Sequence, residues 1–346
     1  MEQIMYVLPV QTPIVIEKLL VRDWIVHSFN LEDKESFYSP SEFLYNSDVK
    51  DIEYVLYLDT NIYQFLLSSY RKISNEITRD AISLLVFCQL SKIEIDPVYA
   101  IYEKINYTNE KVDETIEELK LFYQINNSNI YSLISYSLGE LDSYKLGPAQ
   151  KFDVKHMKEN LTKYERLTEW DSLYLIMLAC VSISKENISR QSKLLKFRVW
   201  MLKDFRQSLV GFVYGVVFFS EKPLKRMMKY KSTNPSEVKR SQLFNMTWDL
   251  YIMNSFFRKW LSVSENVEFI YATDDKAFRT LLRIAIDMQI NEGIEPLKKI
   301  LSKRDYINTE EIWNLEVKED ERVYKSNTWT PSYRDQLIEE FEKELL

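Results

Sequence analysis

Glycine, histidine and cysteine are scarce in this chain of 346 residues, and each scarcity excludes a class of site. The five glycines all lie at or beyond Gly139, and neither a GxGxxG nor a GxxxxGK[ST] segment occurs, which counts against a phosphate-binding loop. Two histidines and two cysteines are too few for a Cys/His zinc site or for a disulfide framework. Such low cysteine usage is typical of a reducing compartment, so we expect a cytoplasmic protein. Chemistry in this chain must therefore come largely from carboxylates.

Long apolar segments are lacking as well. The longest uninterrupted apolar run, 209–219, has 11 residues, whereas a helix that spans a bilayer needs about 20. The first residues include Glu2 and lack the basic segment of a signal peptide. We therefore expect no membrane partner. A hydrophobic fraction of 46% and a charged fraction of 28% are typical of a folded protein, and the length favours about two domains.

Basic residues are concentrated in one segment. The net charge is −7, yet residues 185–240 carry 14 Lys and Arg against four acids, so the rest of the chain carries −17. Aromatic residues are interspersed with these cations, a composition that suits phosphates with bases stacked on rings. A helix with a solvated basic face is the simpler alternative. The candidate nucleic-acid contacts are Lys193, Lys196, Arg198, Trp200, Arg206, Lys225, Arg226, Lys229, Tyr230 and Lys231.

Strand and helix patterns alternate near both ends of the chain. Runs of β-formers predict strands at 54–58, 93–95 and 267–272, and a helical period follows each of them. The middle of the chain is mostly helical in pattern. This alternation favours an α/β fold with a parallel sheet. The expected division is an N-terminal extension (1–49), a core in two parts (50–107 and 241–300), a helical insertion (108–240) and an acidic C-terminal tail (301–346) that ends in a helix.

Acidic residues follow two of the predicted strands. Asp59 ends the first strand, and Asp274 and Asp275 follow the last one. Functional groups gather at the carboxyl ends of parallel strands, so these acids are expected at one edge of the sheet. Clustered carboxylates raise one another's pKa unless a cation shares the site. Oxygen ligands suit hard ions, so the pattern predicts Mg²⁺ or Mn²⁺ rather than histidine-based acid–base chemistry.

Four short blocks resemble the PIN-domain nucleases, and they occur in that family's order. They are YVLYLDTNIY (54–63), IDPVYAIYEKI (95–105), MTWDLYIMNSF (246–256) and FIYATDDKAF (269–278). The resemblance implies a PIN-like parallel sheet flanked by helices, here with a large helical insertion. It also implies a metal-dependent endonuclease whose substrate is more often RNA than DNA. A toxin, defence or RNA-processing role, a homo-oligomer and an inhibitory protein partner are all compatible with it.

The resemblance also assigns roles to individual residues. Catalytic and metal-binding roles fall on Asp59, Glu103, Asp249 and Asp275, and supporting roles on Asn61 and Thr273. Asp274 competes with Asp275 for a metal-binding role, because a slip of one residue exchanges them. Asp171 competes with Asp249, because each follows a tryptophan in an apolar helical segment. Asp249 is favoured because its helix leads directly into the last strand.

Two other functional classes are alternatives to this hypothesis. A non-catalytic PIN-like module that binds nucleic acid or assembles with a partner would leave at least one of the four acids outside the pocket. An enzyme driven by nucleotide hydrolysis is disfavoured by the missing phosphate loops. The sequence leaves open the choices between RNA and DNA and between Mg²⁺ and Mn²⁺.

Overall fold

The computed structural model describes residues 5–28, 36–71, 74–105, 111–150, 153–163, 169–262, 266–323, 325 and 330–346. The chain divides into two compact units. The first consists of Met1–Arg166 with Lys259–Asp275, and the second of Leu167–Arg258 with Lys276–Leu346. The segment 108–240, predicted as one helical insertion, is thus divided between the two units.

The first unit contains a small sheet and a set of helices around it. Its elements are α1 (Thr12–Arg22), β1 (Ile25–His27), α2 (Pro40–Lys50), β2 (Glu53–Leu58), α3 (Thr60–Arg71), α4 (Glu76–Leu90), β3 (Glu94–Asp96), α5 (Val98–Ile105), α6 (Val112–Asn126), α7 (Ile130–Leu138), α8 (Val154–Lys163) and β4 (Val267–Ala272), with a short 3₁₀ helix at Ser36–Tyr38. The prediction of a sheet flanked by helices is therefore confirmed in outline.

The sheet has four strands in the order β1-β4-β2-β3. β2 pairs in parallel with both β3 and β4, and Leu58 lies opposite Ala272. β1 pairs antiparallel with β4, with Ile25 opposite Ala272. The sheet is thus mixed, which differs from the wholly parallel sheet expected from the sequence. The parallel pair β2 and β4 still brings two strand ends, and the acids that follow them, to one edge.

Local sequence determines where several of these helices begin and end. Asn75 and Thr78 form a reciprocal capping box at the start of α4. α7 ends at Gly139, which adopts a left-handed conformation with φ of 84° that glycine tolerates best. Proline occupies the first turn of α1 and of α2, where its missing N–H is not needed.

The core of the first unit also holds two buried carboxylates with basic partners. Asp80 of α4 accepts hydrogen bonds from Lys18 Nζ (3.0 Å) and Arg22 Nε (2.6 Å) of α1. Glu118 of α6 pairs with Arg71 (3.0 Å) and with Lys104. A buried charge is tolerated only when it is paired, so these ion pairs fix how the helices pack around the sheet.

The described residues of the second unit form helices joined by loops, without a strand. Its elements are α9 (Trp170–Lys185), α10 (Arg190–Lys203), α11 (Leu209–Phe218), α12 (Ser236–Leu261, whose last turn belongs to the first unit), α13 (Lys276–Ile290), α14 (Lys303–Trp313) and α15 (Pro331–Leu345), with short 3₁₀ helices at Glu295–Lys299 and Glu319–Glu321. α9 is buried along nearly its whole length, and α15 packs against it. α11, the longest apolar run of the chain, packs against α13.

Two further features of the fold are the length of the apolar helices and the burial of the two cysteines. No helix among the described residues is both long enough and apolar enough to cross a bilayer. Cys88 lies in α4 of the first unit and Cys180 in α9 of the second, and both are free thiols that are almost fully buried. Burial raises the pKa of both thiols well above the ordinary value, which disfavours the reactive thiolate form.

Candidate active site

Asp59 lies at the junction of β2 and α3, where the strand ends and the helix begins. Its backbone N–H donates to the Ala272 carbonyl of β4 (2.9 Å), which fixes the junction to the neighbouring strand. The residue is 9% exposed, and its carboxylate accepts three hydrogen bonds. Thr60 N–H donates to Oδ1 (2.9 Å), while Asn61 Nδ2 (3.1 Å) and Thr273 Oγ1 (2.6 Å) donate to Oδ2. The side chain is therefore held in one orientation.

Thr273 connects Asp59 to the residues that follow β4. Its hydroxyl donates to Asp59 and accepts a hydrogen bond from the backbone N–H of Asp275 (3.0 Å). Asp275 is close enough for its charge to act on Asp59. Asp274 is oriented differently, because its Oδ1 accepts a hydrogen bond from the indole Nε1 of Trp24 (2.8 Å). The structure thus brings Asp275 beside Asp59 and engages Asp274 elsewhere.

Glu103 reaches the same junction from α5. The Thr60 hydroxyl at the start of α3 donates a hydrogen bond to Glu103 Oε2. Thr60 also binds Asp59 through its backbone N–H, so one residue contacts both carboxylates. Glu103 is half-buried. The predicted residues Asp59, Asn61, Glu103, Thr273 and Asp275 therefore belong to one connected network in the first unit.

Burial dominates the electrostatics of Asp59. Removal of the carboxylate from water raises its pKa, and the nearby negative charge of Asp275 raises it further. The hydrogen bonds from Thr273, Asn61 and Thr60 lower the pKa, but they do not compensate fully. A bound cation would remove both the repulsion and the loss of hydration. Asp59 Oδ1 accepts a single hydrogen bond, so it retains capacity for a further ligand.

The third predicted acid lies in the second unit, as does its competitor. Asp249 of α12 is partly exposed and forms an ion pair with Lys229 at 2.6 Å. Asp171 of α9 is buried and forms an ion pair with Arg334 of α15 at 3.1 Å. Asp171 thereby joins two helices that pack together, and its charge is compensated within the unit.

The predicted nucleic-acid contacts fall into three groups in the second unit. Lys225, Arg226 and Lys231 are exposed, and Lys193 is partly exposed. Lys196, Arg206 and Lys229 form ion pairs with Glu186, Glu169 and Asp249 respectively. The remaining three are buried: Arg198 is 7% exposed, Trp200 9% and Tyr230 7%. Buried rings offer no face to a base, so the two aromatic residues serve the core.

Part of the basic segment surrounds a cavity of about 440 Å³. Arg190, Lys193, Lys225 and Arg226 line it, together with an apolar floor that includes Phe218 and Phe219. No acidic residue lines this cavity within the described part of the chain. Arg226 adopts a left-handed backbone conformation with φ of 71°, which is uncommon for a residue with a side chain. The cavity therefore presents positive charge above an apolar surface.

Two residues of the network were missed by sequence reasoning. Trp24 precedes the short strand β1 and lies 250 positions from its partner Asp274, so no local pattern points to it. Thr60 lies in the first of the four blocks, but no role is assigned to it there. Its position directly after a strand-end aspartate is a signal that could have identified its role, because hydroxyls commonly orient carboxylates at such sites.

Within the described residues, neither a search for clustered metal-binding side chains nor a comparison with known proteins adds a further site. Among the described residues, no three His, Cys, Asp or Glu side chains form a group that could hold a metal ion. Searches of protein-family models, curated proteins and solved structures found no significant match to this chain. The function is therefore inferred from the residues of this chain alone.

Proposed function

We propose that this protein is a metal-dependent endonuclease of PIN-like organisation that hydrolyses phosphodiester bonds, with RNA as its principal substrate class. One observation carries the proposal: Asp59 and Asp275 follow adjacent parallel strands, and the hydroxyl of Thr273 joins them. Two carboxylates placed close together repel each other, which lowers the stability of the fold. Folds commonly retain such a pair where the two carboxylates share a cation.

The donor set fits Mg²⁺ or Mn²⁺. Magnesium is commonly bound through one or two carboxylates while water completes its coordination, so a pair of aspartates suffices. Asp59 and Asp275 would hold the ion, and Glu103 would approach through Thr60. When bound, such an ion supplies Lewis-acid stabilisation of the phosphate charge and activation of water.

The other residues of the network serve to orient these carboxylates. Asn61 and Thr273 hold Oδ2 of Asp59, which leaves Oδ1 as the oxygen with a free acceptor position. Asp275, rather than Asp274, is assigned as the second ligand because Trp24 already engages Asp274. Asp249 is proposed as the third acid on the resemblance alone, and its ion pair with Lys229 would have to open.

Nucleic acid is the proposed partner because the basic cavity of the second unit suits a polyanion. Four cations without a lining acid attract phosphate, and the apolar floor suits a base. The substrate is assigned as RNA by the resemblance, and the experiment includes DNA.

The test is cleavage of labelled single-stranded RNA and DNA in the presence of Mg²⁺, Mn²⁺ or EDTA. We expect cutting that requires the metal and that falls by at least about 100-fold in Asp59→Asn and Asp275→Asn, which remove catalytic charge. Asp274→Asn is the matched control: the substitution is the same one residue away, the amide oxygen still accepts from Trp24, and activity should change by less than about 3-fold. Equal loss in Asp274→Asn and Asp275→Asn would contradict the assignment.

A second candidate function is a PIN-like module that binds nucleic acid without cutting it. The absence of a three-carboxylate group among the described residues favours it. In that case the wild type binds RNA with unchanged affinity in EDTA and in Mg²⁺, and Asp59→Asn has no effect on binding. Comparing binding and cleavage in the same buffers separates the two functions.

A further inference from the structure

A second cavity of the second unit contains a buried arginine without an acidic partner. The cavity has a volume of about 480 Å³ and lies beside α10 and the end of α14. Arg198, Gln207, Trp313, Arg322 and the segment 314–317 line it. Arg198 is 7% exposed.

The guanidinium group of Arg198 packs against two neighbouring aromatic rings, and its N–H groups are poorly satisfied. The Phe212 ring lies 5.2 Å and the Trp313 ring 5.6 Å from Cζ. Nη1 donates to Gln207 Oε1 at 3.3 Å and Nη2 to the Trp313 carbonyl at 3.4 Å. Both bonds are long, and both acceptors are neutral. A guanidinium group has five N–H donors, so these two bonds leave most of its donors unused.

In the part of the chain that the structure describes, no carboxylate compensates this charge. Within the described residues Arg198 forms no ion pair, whereas the buried acids Asp80, Glu118 and Asp171 all have basic partners. Glu316 lines the same cavity, but it is exposed and is not within 4.0 Å of Arg198. A buried cation that has no carboxylate partner among the described residues is destabilising, so a chain that retains one gains something else from it.

We propose that this cavity, which we call the Arg198 pocket, binds the oxyanion of a small molecule, a phosphate or a carboxylate. The edge of a guanidinium group matches both oxyanions through paired hydrogen bonds. Arg322 supplies a second cation, so the two arginines and Glu316 give the lining a net charge of +1. The ring of Trp313 provides an apolar surface for the rest of the ligand. This inference is independent of cleavage at Asp59.

The test is thermal unfolding and calorimetric titration of the full chain with three probes: inorganic phosphate, adenosine 5′-monophosphate and succinate. We expect one of the probes to bind and to raise the unfolding temperature by roughly 2 °C for each tenfold increase above its Kd. Arg198→Met should abolish this response, and Arg198→Lys should weaken binding about tenfold, because lysine lacks the planar fork. Glu316→Gln should strengthen binding about 2–5-fold by removing repulsion.

The same variants separate a ligand site from a structural cation. Without ligand, Arg198→Met should unfold at the same temperature as the wild type or higher, because an apolar side chain of similar length no longer buries an uncompensated charge. Arg304→Met is the control, since Arg304 is exposed on α14 and should leave both stability and binding unchanged.

Three results would overturn the proposal. The first is a wild type that responds to none of the probes at 10 mM, and the second is an Arg198→Met variant that unfolds several degrees lower than the wild type. The third is a single-stranded RNA oligonucleotide whose binding depends on Arg198 while the three small probes do not bind. That outcome would assign the pocket to the nucleic-acid surface instead.

Discussion

Gly215 in α11 offers a sharp test of how tightly the second unit is packed. A Cβ atom added at this position would lie 2.6 Å from Cδ1 of Phe197 and would contact Cε1 at an even closer approach. Phe197 is fully buried, and its ring packs against Trp200 and Phe219 at centroid distances of 6.2 and 5.9 Å. The ring therefore has little space into which it could move.

The expected effect of Gly215→Ala is the sum of two opposing terms. Alanine in a helix is favoured over glycine by about 1 kcal/mol. Overpacking a well-filled core costs typically about 1–3 kcal/mol. Since the contact with Phe197 is far below van der Waals distance, the cost should be near the upper limit, and we expect a net loss of about 1–2 kcal/mol in the free energy of unfolding.

Gly211, one turn earlier in α11, is the matched control. A Cβ atom there would lie 3.3 Å from Cβ and Oγ of Ser208 and 3.4 Å from Cγ2 of Ile176, a tight contact that a shift of a few tenths of an ångström relieves. The helix preference should then dominate, and Gly211→Ala should stabilise the chain by about 0.5 kcal/mol.

The measurement is urea-induced unfolding of the wild type and both variants, followed by far-UV circular dichroism. With an m-value of about 3 kcal/mol/M, the two alanine variants should differ in midpoint by roughly 0.5–0.8 M. The reasoning would be refuted if both substitutions raised the midpoint equally, because the Phe197 ring would then relax without cost.

Three further predictions concern buried charges and thiols. Asp80→Ala should lower the free energy of unfolding by about 3 kcal/mol, measured by urea unfolding, because its two basic partners in α1 lose their counter-ion. Burial raises the pKa of Glu169, but the charges of Arg206 and Arg258 outweigh this effect and hold the pKa below the ordinary value. The ionised carboxylate therefore stabilises the fold above the pKa of the unfolded state, and this contribution is lost as the pH falls through the pKa of the folded state. Thermal scans at pH 6 and pH 3 should therefore show a smaller acid-induced loss in Glu169→Gln than in the wild type. Cys88 and Cys180 should react with a thiol reagent only in denaturant, and labelling of either thiol in the native chain would contradict their burial.

The elements that the sequence predicted best are those with strong local patterns. β2 and β4 are apolar, aromatic runs that end in acids, and α5 follows β3 as the helical period there predicts. β1 was missed, because three residues form a strand there only through pairing with β4. Long-range pairing of this kind has no local signal.

The candidate site was predictable to a similar extent. The sheet rule predicts that Asp59 and Asp275 meet, but it does not predict that Trp24 engages Asp274. In the basic segment, by contrast, composition misplaced a residue. Charge counting grouped Arg198 with the surface cations, although helix packing buries it against two rings. Composition reports how many charges a helix carries, whereas tertiary packing decides which of them contact water.

The position of β4 has a consequence for how the chain is synthesised. This strand lies between β1 and β2 in the sheet, yet more than 200 residues separate it from β2 along the chain. At about 5–20 residues per second, a ribosome needs roughly 10–40 s to produce that interval. Throughout this time one edge of β2 has no strand beside it, and β1 has no pairing partner at all. The nascent chain therefore exposes an open strand edge, the feature that invites aggregation, until Ala272 has left the ribosome.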